Sequence, residues 1–180
     1  MSDYLVFLAD IKGTKAALEQ FDNGGCQVLE RRIEHLQDTF GRCFIALQER
    51  SRNMNGVTFS DSVIAYWTDV VEGKRFGPEL MNILWHSIDH KLVSIRGFLD
   101  SGKCVRETSI LSHILTFTPS RFLKVLPTGL AVWSVAIAES SHFPDGMFVE
   151  QKLASGLISR SFECTVLKAG PFEYVQMNLD

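Results

Sequence analysis

The stretch FLADIKGTK, Phe7 to Lys15, decides how the rest of the chain is read. Tyr4 to Ala9 is a nearly continuous apolar run, the pattern of a central strand covered on both faces. It ends on Asp10, and Gly13 and two lysines follow around the start of a helical pattern. An aspartate after a strand is ordinarily the cap of the next helix or a loop residue. It is also where a carboxylate would stand to hold a metal ion at a sheet edge. Taken alone, Asp10 is most simply a cap.

Downstream, apolar residues recur at Leu29, Ile33, Leu36, Phe40, Phe44 and Leu47 after the Gly24-Gly25 pair. These steps of three or four predict one face of a long amphipathic helix, with Glu30, Arg31, Glu34, Asp38 and Arg42 on its solvated side. Ser51 to Gly56 reads as a loop. VTFSDSVIAYW, Val57 to Trp67, is rich in β-branched and aromatic residues and is interrupted by Ser60-Asp61-Ser62. It predicts two strands joined by a tight turn, with Asp61 at or beside the tip. Leu80, Ile83, Leu84 and Ile88 mark a second helix. LVSIRGFLDSGKCV, Leu92 to Val105, predicts another strand pair turning near Asp100 to Lys103, while Thr108 to Pro127 carries no readable pattern. Gly129 begins a short helix through LAVWSVAIAE. Gly146 to Gln151 is a strand, and Phe162 to Leu179 a closing hairpin around Ala169-Gly170-Pro171. The order β-α-ββ-α-ββ-α-β-ββ predicts an α+β domain whose helices cover one face of a mainly antiparallel sheet. With no repeat or linker-like tract, residues 1–180 read as a single domain.

Composition bounds the function. At 46% hydrophobic and 22% charged the chain suits one domain with a real core. A net charge of -3 gives no electrostatic footprint for nucleic acid, and the basic residues form no run that would suit an anionic membrane. The apolar stretches are too short to span a bilayer, and the N-terminus has no signal-peptide pattern. Cys26, Cys43, Cys104 and Cys164 form no CxxC pair. They read as reduced, mostly buried thiols of a cytoplasmic protein.

Against that background two carboxylates stand out. If the hairpin pairs beside the first strand, Asp10 and Asp61 emerge at one sheet edge. Two hard oxygen ligands, a nearby backbone carbonyl and substrate phosphates are what Mg²⁺ or Mn²⁺ prefers. The IKGT stretch that follows Asp10 allows a tight turn at Gly13, where backbone N–H groups of Gly13 and Thr14 would cradle phosphates, with charge from Lys12 and Lys15.

In order along the chain, these motifs resemble class III nucleotidyl cyclases, the adenylate and guanylate cyclase catalytic domain. They are most similar to the compact bacterial form that includes the pyrimidine cyclases of Pycsar antiphage systems. FLADIKGT resembles the family's strand ending in D-I-x-G, and FSDSV (Phe59 to Val63) its hairpin-tip aspartate. IRGFLDSG (Ile95 to Gly102) resembles the R-G-four-residue-G strand of the compact type. PTGLAVWSVAIAE (Pro127 to Glu139) resembles the helix that ends in glutamate. Gly146 to Phe172 resembles the tail of strand, short helix and lysine-glycine hairpin. The resemblance implies the ferredoxin-like cyclase sandwich. It implies two metal ions, Mg²⁺ or Mn²⁺, held by Asp10, Asp61 and the carbonyl of Ile11. It also implies conversion of a nucleoside triphosphate to a 3′,5′-cyclic monophosphate and pyrophosphate. A head-to-tail homodimer follows, with Lys168 contacting the triphosphate from the partner chain, and so does a separate effector that responds to the product.

Two departures matter. With Glu139 matched to the helix-ending glutamate, Trp133 and Ile137 fall where mammalian-type relatives carry an asparagine and an arginine. A shift by one offers Ser134 and still no arginine. Ahead of Asp61 stand Asn55 and Val57, with no lysine of the kind adenine-specific cyclases carry. That weighs against an adenylate cyclase, and the resemblance to the compact bacterial group implies UTP as the first expected substrate and CTP as the second. A cyclase-like binding or regulatory module without catalysis is the alternative, and a palm-like phosphoryl-transfer enzyme a more distant one. His86 and His90 read as an exposed helix face, Arg96 as a structural ion pair or dimer contact, and Asp100 as a turn residue. Trp67, Trp85 and Trp133 read as core or interface residues.

Overall fold

The computed structural model describes residues 2–19, 25–105, 128–157 and 161–179. Strand β1 (Ser2–Ile11) lies at the centre, and its alternation sets the layers. Leu5, Phe7, Ala9 and Ile11 share one apolar cluster with the buried residues of α2 (Gly25–Gln48) and α3 (Val70–Ser87). Tyr4, Val6 and Leu8 share a second cluster with Ala131, Val135 and Ala138 of α4 (Leu130–Glu139). A strand apolar on both faces has to be covered on both. The helices therefore lie on both faces of the sheet, where the element order suggested one.

The other strands are β2 (Met54–Phe59), β3 (Ser62–Trp67), β4 (Ile95–Val105), β5 (Thr128–Gly129), β6 (Gly146–Glu150), β7 (Phe162–Ala169) and β8 (Phe172–Met177). The sheet runs β2-β3-β1-β4-β6-β8-β7, with β5 added at the end of β4. Every pairing is antiparallel except β4 with β6. This is the expected α+β architecture, with two further short helices, α1 (Thr14–Glu19) and α5 (Gln151–Ala154).

The long amphipathic helix is α2. Leu29, Leu36, Phe40 and Leu47 are buried, and Ile33 and Phe44 pack partly buried against the same core. The second helix starts well before Leu80, because Asp69 caps it: its carboxylate accepts from the Val71 and Glu72 N–H groups at 2.9 and 3.2 Å. The hairpin is also as expected. Phe59 pairs with Ser62, so Ser60 and Asp61 form a two-residue turn, and Ser60 takes a φ of 53°. Met54 to Gly56, expected in a loop, already belong to β2.

One expectation fails. Leu92 to Val105 is not a strand pair; β4 is a single strand, and Asp100 pairs with Val6 in mid-sheet. The ladder runs from Ser2 opposite Cys104 to Ile11 opposite Ile95. A turn at Asp100 would have left the first half of β1 without backbone partners on its β4 side. Glycines permit the close packing: a Cβ on Gly97 would overlap Met147 and the Phe7 ring, and one on Gly129 would meet the Lys103 carbonyl. Cys26, Cys43 and Cys104 are free thiols, the latter two buried. Thr108 to Pro127 lies outside the described residues. Among the described residues no helix is long and apolar enough to cross a membrane.

Candidate active site

The end of β1, the β2–β3 tip and the start of β4 meet at one edge of the sheet. Asp10 lies between Ser62 of β3 and Arg96 of β4. Asp61 is the next residue back from Ser62, and its carbonyl accepts the Ile11 N–H at 3.1 Å. The two aspartates thus stand at neighbouring positions of one edge. The tip is held from α2, where Gln37 Nε2 donates to the Ser60 carbonyl at 2.7 Å.

Asp10 shares the sheet face of Tyr4, Val6 and Leu8 and is 2% exposed. Its Oδ2 accepts from Arg96 Nη2 at 2.9 Å, while Oδ1 is buried with no hydrogen-bond partner among the described residues. Arg96 Nη1 donates to the Ser141 carbonyl at 2.7 Å, and Nη2 lies 4.0 Å from Glu139 at the end of α4. Burial pushes the Asp10 carboxyl up to about 7. The Arg96 guanidinium pulls the other way, and the Glu139 carboxylate adds to the rise. An ionised Asp10 is therefore short of positive charge even with Arg96 beside it.

The turn after Asp10 differs in part from the expected phosphate cradle. Gly13 takes the expected left-handed conformation, with a φ of 85°. The Lys12 N–H, however, donates to the Ser94 carbonyl at 2.9 Å, and its ammonium pairs with Asp145 at 3.2 Å. Asp145 also accepts from the Ser94 hydroxyl. The Thr14 hydroxyl donates to the Ile11 carbonyl at 3.1 Å, leaving that oxygen's second lone pair. Lys12, Gly13, Arg96, Glu139 and Ser141 line an open cleft of about 800 Å³.

The remaining expected site residues are not gathered at this edge. Lys168 lies on β7, three strands from β4, exposed and paired with Glu173 at 3.2 Å. Asn55 and Val57 lie on β2, opposite Tyr66 and Ile64, at the other side of the sheet from β7. Trp133 is 61% exposed and touches the Phe172 ring edge-on. His86 and His90 are exposed and bond the carbonyls of Asn82 and Trp85, but only His86 is on the helix, since α3 ends at Ser87 and His90 lies in the turn beyond it. Arg96 is the ion pair that the sequence suggested, but its partner is Asp10 itself. The signal for that was the register: an antiparallel partner of β1 carrying IRGF had to place some residue opposite Asp10. Glu139 and Ser141 were legible only as the end of a helix.

The donors present suit a hard divalent cation. Asp10 Oδ1 is a buried carboxyl oxygen with no donor among the described residues, and Asp61 and the Ile11 carbonyl lie close by along the sheet edge. Among the described residues no three His, Cys, Asp or Glu side chains stand close enough to hold an ion by themselves. An ion at this edge would complete its shell with carbonyl, water or phosphate oxygens, as Mg²⁺ does.

No protein-family model matches the sequence, and no curated protein matches it. Solved structures do. The adenylyl cyclase CyaB from P. aeruginosa is 13% identical, with a TM-score of 0.64 over 98% of this chain and 93% of that one. The guanylyl cyclase Cya2 is 8% identical, with a TM-score of 0.65 over 97% and 91%. A non-canonical dimeric guanylyl cyclase domain of the RhoGC fusion protein from the aquatic fungus Blastocladiella emersonii is 12% identical, with a TM-score of 0.60 over 99% and 98%. These likenesses establish the fold alone: the chain has the fold of class III adenylyl and guanylyl cyclase domains.

Proposed function

We propose that this chain is a metal-dependent nucleotidyl cyclase, converting a ribonucleoside triphosphate to its 3′,5′-cyclic monophosphate and pyrophosphate. The observation that carries this reading is the buried, donor-free Oδ1 of Asp10 at the same sheet edge as Asp61. The shared fold with adenylyl and guanylyl cyclases supports it. Asp10, Asp61 and the Ile11 carbonyl would hold two ions, Mg²⁺ or Mn²⁺. Bound there, the metal supplies Lewis acidity that lowers the pKa of the ribose 3′-hydroxyl and neutralises charge on the triphosphate. The 3′-oxygen attacks the α-phosphorus, the bond to the α,β-bridging oxygen breaks, and pyrophosphate leaves as the hydroxyl proton passes to solvent. The chain's own work is positioning and charge stabilisation. Lys12 contributes its ammonium, Gly13 and Thr14 the backbone of the turn, and Lys168 reaches the triphosphate from a second copy of the chain. A homodimer is favoured by the exposed apolar Leu130 and Trp133 on α4.

The finer reading is a pyrimidine cyclase acting on UTP, or next on CTP. Its product would serve as a second messenger in antiphage defence and act on a separate effector. It rests on the resemblance to the compact bacterial group and on Asn55 and Val57 standing where adenine-specific relatives carry a lysine. A second reading, a noncatalytic nucleotide-binding or regulatory dimerisation module, is favoured by one observation. Along α4, Trp133 is exposed and Ile137 packs partly buried against the core, and neither can donate to a transition-state phosphate. Incubating the purified protein with each of the four ribonucleoside triphosphates and Mn²⁺, then identifying products by mass spectrometry, separates the two. A cyclic monophosphate is expected from a pyrimidine nucleotide; binding without turnover would support the module.

A further inference from the structure

The reaction as set out gives Arg96 no role, yet its placement is more specific than holding two strands together requires. Asp10 and Arg96 are directly opposed across the β1–β4 ladder, and their side chains are only 3% and 11% exposed. An arginine fork can take both oxygens of a carboxylate through two parallel N–H groups. Arg96 does not. One terminal nitrogen bonds Asp10 Oδ2 and the other bonds the Ser141 carbonyl, while Nε is buried with no partner among the described residues. The carboxylate is thereby divided: Oδ2 is taken, and Oδ1 is left buried without a donor. Ionised, a buried oxygen in that state is costly unless a cation completes it.

We propose that Arg96 is a positioning residue for the metal site, holding Asp10 through Oδ2 so that Oδ1 alone is presented to the ion. The proposal rests on the metal-dependent reading of this edge. It also gives the end of α4 a place in the site. Ser141, just past that helix, fixes the guanidinium plane, so α4 acts on Asp10 through Arg96 although it offers neither asparagine nor arginine of its own. A lysine could keep the charge but has no planar fork to bridge Oδ2 and the Ser141 carbonyl.

The test measures Mn²⁺ binding without nucleotide, by the paramagnetic resonance of free Mn²⁺, alongside thermal stability. Wild type is expected to bind, and Arg96→Lys and Arg96→Gln to bind about 10- to 100-fold more weakly, the usual loss on removing a residue that orients a metal ligand. Lys should keep the melting temperature of wild type. Mn²⁺ affinity unchanged or increased in a folded variant overturns the proposal, and an increase would mean that the arginine competes with the ion. If wild type binds no Mn²⁺ with or without nucleotide, the metal-dependent reading fails and the proposal with it. Should both variants fail to fold, ¹⁵N resonances of the wild-type Arg96 guanidinium decide. Restrained exchange that persists when Mg²⁺ is added is expected; release of the side chain by Mg²⁺ overturns the proposal.

Discussion

Replacing Asp100 by asparagine should make the protein more stable, by an amount that grows with pH. Asp100 is 4% exposed in the middle of β4. The Ser101 N–H reaches its Oδ1 at 2.6 Å and the Tyr174 hydroxyl lies 3.4 Å from Oδ2. Burial raises its carboxyl from 3.8 to about 6, more than these partners and Ser134 lower it, and the Glu150 charge adds to the rise. The folded-state pKa is above the unfolded one, so the folded protein binds the proton more tightly. The stability due to Asp100 is then fully present below about pH 4 and is lost as pH rises through about 6. Roughly two pKa units correspond to about 3 kcal/mol at neutral pH. Asparagine has nearly the same shape and can still accept from Ser101, so Asp100→Asn should lack this loss. Urea unfolding of both proteins across about pH 4 to 8 isolates the effect, because other titrating groups cancel in the difference. The expected result is near-equal stability at the acid end and a gain approaching about 3 kcal/mol for the variant at the other. A difference that stays flat with pH would refute the reasoning.

Other perturbations have equally definite outcomes. Asp10→Ala and Asp61→Ala should each abolish cyclic nucleotide formation while circular dichroism and the cooperative unfolding transition remain. Gly97→Ala places a methyl group against Met147 and the Phe7 ring. It should cost about 1–3 kcal/mol or more, the range for overpacking, in urea unfolding. Ser51→Ala strands the buried Trp67 indole N–H, now 2.9 Å from the Ser51 hydroxyl, and should cost about 1–3 kcal/mol. Glu139→Gln removes a like charge from beside Asp10 and should lower the Asp10 pKa, read from its ¹³Cγ shift during titration.

The sequence made the site's backbone legible before its side-chain partners. An apolar run stopping at Asp10 and a β-branched run broken by Ser60-Asp61-Ser62 each carry local signals, and both aspartates lie where those signals put them. The α2 stripe was equally plain, since it obeys the helical period. Asp100 was misread because DSGK has the composition of a turn, and only the length of β1 as a pairing partner overrides that preference. The Asp10–Arg96 contact joins residues 86 positions apart, and no local pattern carries such a distance. It follows only from the register, which the packing of β1 and β4 fixes as a whole. Lys168 and Asn55 illustrate the opposite limit: their expected roles came from resemblance, and within one chain they stand at opposite sides of the sheet.

The identity of the product tests cyclase activity most directly. Wild-type protein given Mn²⁺ and its preferred ribonucleoside triphosphate should release pyrophosphate and a 3′,5′-cyclic monophosphate in equal amounts. The matching 3′-deoxynucleotide, which has no attacking hydroxyl, should yield neither. Pyrophosphate accompanied by a linear monophosphate, or no product from any of the four nucleotides, would contradict it.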